Sequence, residues 1–179
     1  MICTKLELCV EEELAGRMIE KCENKRTHCI KASDKRSLVK CEENKKKYTL
    51  ENTLKNHVIS YKMDGGVIVT DASVQEGINK CDYLYVVNST GKTAILIELK
   101  GENVSKALKQ IQATLVQYKD FFKKFEHVYG RAIVVSSAPD LKASPTYVNL
   151  VKLLKKAYHG NIKIVERQFI EKDVDFEKE

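Results

Sequence analysis

Apolar positions along this chain change their period from helix to strand and back. Leu6, Val10, Leu14, Met18 and Cys22 recur every fourth residue, which predicts a helical stripe over 6–22. Glu11, Glu12 and Glu13 lie early in it, where the positive end of a helix favours acids. Residues 23–47 are rich in lysine and poor in apolar positions, a pattern for a short helix around Leu38 or an ordered loop. From His57 the period shortens. Runs 57–63 and 66–71 are β-rich and flank Asp64-Gly65, a hairpin-turn pair. A polar loop over 72–80 follows.

Two further β-rich runs, 81–87 and 92–100, flank Asn88-Ser89-Thr90-Gly91. A three-residue loop with Gly91 in its last, left-handed position pairs Asn88 with Lys92, and counting back pairs Asp82 with Glu98. Leu84, Val86 and Leu96 line one face of this hairpin; Tyr83, Tyr85, Ile95 and Ile97 line the other. Strands apolar on both faces are central strands covered from two sides.

A helix is predicted over 103–125, because Val104, Leu108, Ile111, Leu115, Tyr118, Phe122 and Phe125 alternate four and three apart. Gln110 falls on the neighbouring stripe with Ala107, Thr114 and Gln117. Lys106, Lys109, Lys119, Lys123 and Lys124 give this helix a basic side, and Lys45-Lys46-Lys47 is a second basic run. Residues 132–135 form a short buried strand ending in Ser136-Ser137. Ser144 and Pro145 make an N-cap and first-turn pair for a helix reaching about residue 159, which Gly160 stops before a last strand over 162–165. The order predicts an α/β protein, a three-layer α/β/α sandwich around a central mixed β-sheet. Residues 1–50 read as a helical, charged extension packed on the core formed by 51–179, the whole being one structural domain.

Composition narrows the function classes. Apolar residues are 43% and charged residues 31% of the 179 positions, values of a globular rather than a disordered chain. A formal charge of +6 tilts the protein mildly toward phosphate-bearing partners. No apolar run approaches a membrane span, and the first residues lack the basic-then-apolar design of an export signal. A cytoplasmic protein with reduced thiols is therefore expected, its cysteines Cys3, Cys9, Cys22, Cys29, Cys41 and Cys81 buried as small hydrophobes. No C-x-x-C pair occurs; a structural zinc site would have to draw on Cys22, His28, Cys29 and Cys41. P-loop, dinucleotide-binding glycine and G-x-S-x-G patterns are absent.

The hairpin register brings Asp82 and Glu98 together, and Lys100 shares a face with Glu98 because side chains alternate along a strand. Burying two carboxylates side by side is costly unless a proton or cation stands between them. Two hard oxygen donors suit Mg²⁺ or Mn²⁺ better than zinc. A structural ion-pair cluster capping the strands is the alternative reading of the same residues.

Asp82, then Glu98-Leu99-Lys100 at the end of the next strand, then an amphipathic helix, resembles the PD-(D/E)xK nuclease superfamily. This is the restriction-endonuclease-like fold shared with Holliday-junction resolvases. The likeness covers residues 52–165. It implies a Mg²⁺- or Mn²⁺-dependent nuclease that hydrolyses DNA phosphodiesters through an activated water. Asp82, Glu98 and the backbone carbonyl of Leu99 would hold the metal, and Lys100 would be the catalytic lysine. Gln110 on the following helix would complete the site. Cys81 stands where the family's namesake proline would be, and Thr114 replaces the tyrosine of the RecB-type subgroup. An upstream glutamate is assigned to Glu51, with Glu42 and Glu43, or Glu12 and Glu13, as the other positions. The resemblance further implies duplex or branched DNA as partner and a homodimer as a working form. A non-catalytic nucleic-acid-binding or assembly module on the same fold is the second function the residues allow.

Overall fold

The computed structural model describes residues 2–17, 29–69, 79–101, 103–136 and 142–176. Among these residues are nine strands: β1 Ile30–Asp34, β2 Leu38–Glu43, β3 Lys46–Glu51, β4 His57–Lys62, β5 Tyr83–Asn88, β6 Thr93–Leu99, β7 His127–Val134, β8 Ile162–Glu166 and β9 Gln168–Lys172. The described α-helices are α1 Leu6–Leu14, α2 Val104–Gln117, the short α3 Lys119–Phe122 and α4 Pro145–Tyr158. A six-stranded sheet runs in the order β1-β4-β5-β6-β7-β8, and a three-stranded sheet in the order β2-β3-β9.

The large sheet is mixed, as the sequence order predicts. Strands β1, β4, β5 and β6 pair antiparallel, whereas β6–β7 and β7–β8 are parallel. Parallel neighbours need crossovers, and α2 and α4 supply them. Because β6 and β7 point the same way, α2 and α4 both start at the sheet edge where these strands end. Asn103 caps α2 through its side chain, which accepts from the Lys106 amide at 2.8 Å. Ser144 does the same for α4, accepting from the Tyr147 amide at 3.2 Å, with Pro145 preset in the first turn.

The described helices share one face of the sheet. Leu6, Cys9 and Val10 of α1, Leu108, Ile111 and Leu115 of α2, Phe122 of α3 and Leu150 and Leu154 of α4 pack in one core with Leu84, Val86 and Leu96. Each such side chain contributes about 1.5–3 kcal/mol on burial. The two-sided burial of β5 and β6 holds residue for residue, but the second cover differs from the expected helical layer. Among the described residues that face is covered by the small sheet, Val39, Cys41, Tyr48 and Leu50 packing on Tyr85, Ile95, Ile97, Tyr129 and Ile133. Tyr48 and Tyr85 meet edge-on at 5.6 Å.

Several local expectations change with it. The segment expected as a helix or loop around Leu38 is the β2–β3 hairpin. Val39 and Cys41 point inward while Leu38, Lys40 and Glu42 are exposed, so few apolar residues suffice for a one-sided strand. Asn44 (φ 49°) and Lys45 (φ 63°) form its two-residue turn, both left-handed as a type I′ turn requires. Residues 30–50 are thus woven into both sheets rather than appended to the core. The 103–125 helix breaks at Tyr118, between α2 and α3. Residues 66–69 form a turn and two isolated bridges, Ile68 pairing with Ile2 and with Asp64, instead of a strand. His159 (φ 46°), not Gly160, takes the left-handed position that ends α4. A ninth strand, β9, extends past the expected end of the sheet. Residues 18–22 of the first stripe, most of the 72–80 loop and Ser137 lie outside the described residues.

Between the two sheets sits a buried ion pair. The Arg131 guanidinium donates from Nε to Glu171 Oε1 at 2.7 Å, Tyr48 donates to the same oxygen at 2.7 Å, and the Tyr129 ring lies 5.0 Å from the guanidinium carbon. This pair ties β9 and β3 to β7.

Candidate active site

The β5–β6 hairpin has the register its loop predicts. Val87 pairs with Thr93 and Tyr83 with Ile97, so the next position sets Asp82 opposite Glu98. The turn reaches that register differently. Gly91 is not left-handed; a Cβ there would meet the exposed Glu126 carboxylate, the mobile end of a side chain that can turn aside. At the other end of the hairpin the ladder gives way to side-chain chemistry. Asp82 Oδ2 accepts from the Leu99 amide at 2.7 Å, in place of a backbone carbonyl. A strand residue aims its N–H and C=O at the same neighbour, so the Leu99 carbonyl also faces the Asp82 side.

Glu98 is fully buried, and neither of its carboxylate oxygens has a hydrogen-bond partner. Lys100 Nζ stands 3.6 Å from Glu98 Oε1, close enough for Coulombic attraction but too far for a normal hydrogen bond. Burial, then the neighbouring Asp82 charge, push the Glu98 carboxyl up to about 9, against the pull of Lys100. Burial likewise pushes Asp82 up to about 6, opposed first by the Leu99 amide. Without a cation, Glu98 therefore keeps a proton at neutral pH.

Helix α2 fixes the entrance to β5. Thr114 Oγ1 accepts from the Cys81 amide at 2.9 Å, and Gln110 Nε2 donates to the Lys80 carbonyl at 2.8 Å. Gln110 is buried, and its Oε1 has no hydrogen-bond partner. It therefore acts on the backbone just before Asp82, so its contact with the patch runs through the chain it holds. Lys80 Nζ in turn pairs with Asp64 Oδ1 at 3.2 Å.

Glu51 does not reach the patch. It pairs with Leu38 and Lys172, its carboxylate 4.0 Å from Lys172 Nζ, and it leads into the loop before His57. His57 pairs with Asn88, at the far end of β5 from Asp82. The upstream acid near the patch is Glu43, at the β2 end of the type I′ hairpin, whose charge raises the Asp82 pKa. Asp64 acts on Asp82 in the same direction. Glu12 lies on α1 in the helical layer, held by Arg17 at 2.9 Å, and Glu13 is one position on. The signal that could have found Glu43 is the alternation of Val39, Lys40, Cys41 and Glu42, which fits a strand ending beside the turn. Of the zinc candidates, Cys22 and His28 lie outside the described residues. Cys29 packs in the helical core and Cys41 under the small sheet, on opposite faces. Burial pushes the Cys41 thiol up to about 12, the behaviour of an inert core cysteine.

Among the described residues no group of three or more His, Cys, Asp and Glu side chains is arranged to hold a metal. The patch offers two carboxylates and a backbone carbonyl, a donor set suited to a hard cation that keeps several waters. No helix among the described residues is long and apolar enough to cross a membrane. Comparison with protein-family models, curated proteins and solved structures finds no match to the chain.

Proposed function

We propose that this chain is a metal-dependent nuclease that hydrolyses DNA phosphodiester bonds, on a restriction-endonuclease-like core. The observation that carries the reading is Glu98: a fully buried carboxylate with no hydrogen bond to either oxygen, beside a second acid and a lysine. Such a group is stable when charged only against a cation, and Asp82, Glu98 and the Leu99 carbonyl together form a hard oxygen set. When bound there, Mg²⁺ or Mn²⁺ supplies Lewis-acid polarisation of a phosphate and a water of lowered pKa.

The protein's own groups do the rest. The Leu99 amide holds Asp82 Oδ2 at 2.7 Å, which orients the carboxylate and leaves Oδ1 as its ligand atom. The Lys100 ammonium, 29% exposed, bridges the buried Glu98 and the solvent side, where it stabilises negative charge on a phosphate oxygen or orients the attacking water. Gln110 positions the approach to Asp82 through the Lys80 carbonyl. The run β4-β5-β6, followed by α2 and the parallel strand β7, supports the same reading at the level of topology. Duplex or branched DNA is the partner, with a cytoplasmic protein working as a homodimer.

The test is incubation of purified protein with supercoiled plasmid and with a four-way DNA junction, in Mg²⁺ or Mn²⁺. Metal-dependent nicking, abolished in Glu98→Gln and Lys100→Ala, is expected. A wild-type protein that binds these DNAs but neither cuts them nor takes up metal by calorimetry would instead be a binding or assembly module.

A further inference from the structure

The outer faces of α2 and α4 are charged in one sense only. Neither α2 nor α4 contains an aspartate or glutamate over its 14 residues. Their exposed positions carry Lys106 and Lys109 on α2 and Lys152, Lys155 and Lys156 on α4, with Lys142 just before α4. None of these ammonium groups has an ion-pair or hydrogen-bond partner among the described residues. The neighbouring elements behave differently: on α3 and the turn after it, Lys123 pairs with Asp120 at 2.8 Å and Lys124 with Glu7 of α1. Lysines next to acids are neutralised locally, whereas those on α2 and α4 leave a net positive field.

Placement gives this field a direction. Both helices begin at the sheet edge that bears Leu99 and Lys100 and run back from it side by side, packed through Leu108, Ile111, Leu150 and Leu154. At 1.5 Å per residue each is about 21 Å long. Lys106 lies near the candidate site, and Lys155 and Lys156 near the far end. We infer that this acid-free face is a second nucleic-acid contact, holding the phosphate backbone of an arm that extends away from the cleaved bond. A track of about 20 Å spans about six phosphates of one strand at 3.4 Å each. The substrate class is therefore a polymer with a flanking arm of at least that length, and a short oligonucleotide lacking the arm is held only at the carboxylate patch.

This inference rests on the nuclease reading for its ligand, but its test does not require cleavage. Binding of a fluorescent duplex of about 40 base pairs is measured by anisotropy in EDTA, over a range of salt, for wild type and for the triple variant Lys152→Gln, Lys155→Gln, Lys156→Gln. The substituted residues are exposed, and circular dichroism checks the fold of the variant. The expected result is an affinity at least about tenfold weaker at ~0.1 M salt, with the salt slope reduced by about three, roughly one per lysine. Unchanged affinity and slope for the long duplex would overturn the inference even if the protein cuts plasmid. A variant that keeps duplex binding but loses binding to phosphatidylglycerol vesicles would overturn it in favour of an anionic membrane surface. Loss of duplex binding in a protein that never cleaves would sustain this contact while the nuclease reading fails.

Discussion

Glu98→Gln keeps the shape of the buried side chain and removes its charge, so it isolates what the carboxylate costs the fold. In the folded protein Glu98 holds its proton to about pH 9, against 4.5 for the ordinary group. Between those values the native state binds more protons than the unfolded chain. Stability is thus fully present below the unfolded pKa and is lost as pH rises toward the folded one. One excess proton gives a slope of about 1.4 kcal/mol per pH unit, so between about pH 5 and about pH 8 the metal-free protein loses about 4 kcal/mol through this group. Asp82 adds to the fall in the same direction, but only up to its own value of about 6. Urea denaturation in EDTA, followed by circular dichroism at several pH values, reads the slope directly. The wild type is expected to weaken steeply across this range, and Glu98→Gln only at its acidic end. Mg²⁺ at about a hundred times its Kd should restore about 2.7 kcal/mol to the wild type and nothing to the variant. Parallel stability curves for the two proteins would refute the reasoning, since Glu98 would then ionise freely in the fold.

Lys100→Ala is expected to lower metal-dependent nicking by at least about a hundredfold while metal-induced stabilisation persists, a split seen by running the plasmid assay beside thermal melts. Gln110→Ala removes the buried bond to the Lys80 carbonyl; a loss of about 1–3 kcal/mol in urea denaturation is expected, with Asp82-dependent activity falling as β5 loosens. Glu43→Gln should lower the Asp82 pKa from about 6, as followed by carboxyl NMR titration, whereas Glu51→Gln should leave it in place. Arg131→Met strands Glu171 between the sheets and should cost about 3–5 kcal/mol by melting or denaturation.

The parts of this molecule that could be read from the letters are those where one local rule decides. Residues 83–99 alternate with apolar side chains on both faces, so loop length alone set the register and with it the Asp82–Glu98 pairing. The caps at Asn103 and Ser144 were legible because a side-chain acceptor before an apolar stripe has a single local use. The β2–β3 hairpin was not, because its inward residues are only Val39 and Cys41 on one strand and the outward ones are charged; what buries them is β5, some forty residues away. Strand β9 was missed for the same reason: Gln168–Lys172 buries one charged residue, Glu171, whose partner Arg131 comes from another sheet. Glu43 went unassigned because its position depends on that hairpin, and Glu51 was preferred because it is nearer in sequence to the first central strand.

The molecule contains two buried acid–base arrangements, and their contrast separates a structural pair from a reactive one. Glu171 Oε1 receives hydrogen bonds from Arg131 and Tyr48, each at 2.7 Å, and Lys163 approaches its other oxygen at 3.9 Å. Aromatic rings enclose the guanidinium. There two cations face one acid, and one of its oxygens is hydrogen-bonded twice, as a pair that fixes layer packing requires. At Glu98 the balance is inverted: two carboxylates face one lysine at 3.6 Å, and neither Glu98 oxygen is hydrogen-bonded. A fold that merely needed this end of the sheet capped would be more stable with an apolar residue at position 98, where Leu96 on the same strand face belongs to the helical core and solvent is excluded. The excess of negative charge is met only by a proton or a further cation. That asymmetry, more than the spacing of the three residues, is what supports the proposed chemistry at Glu98 and a packing role for Glu171.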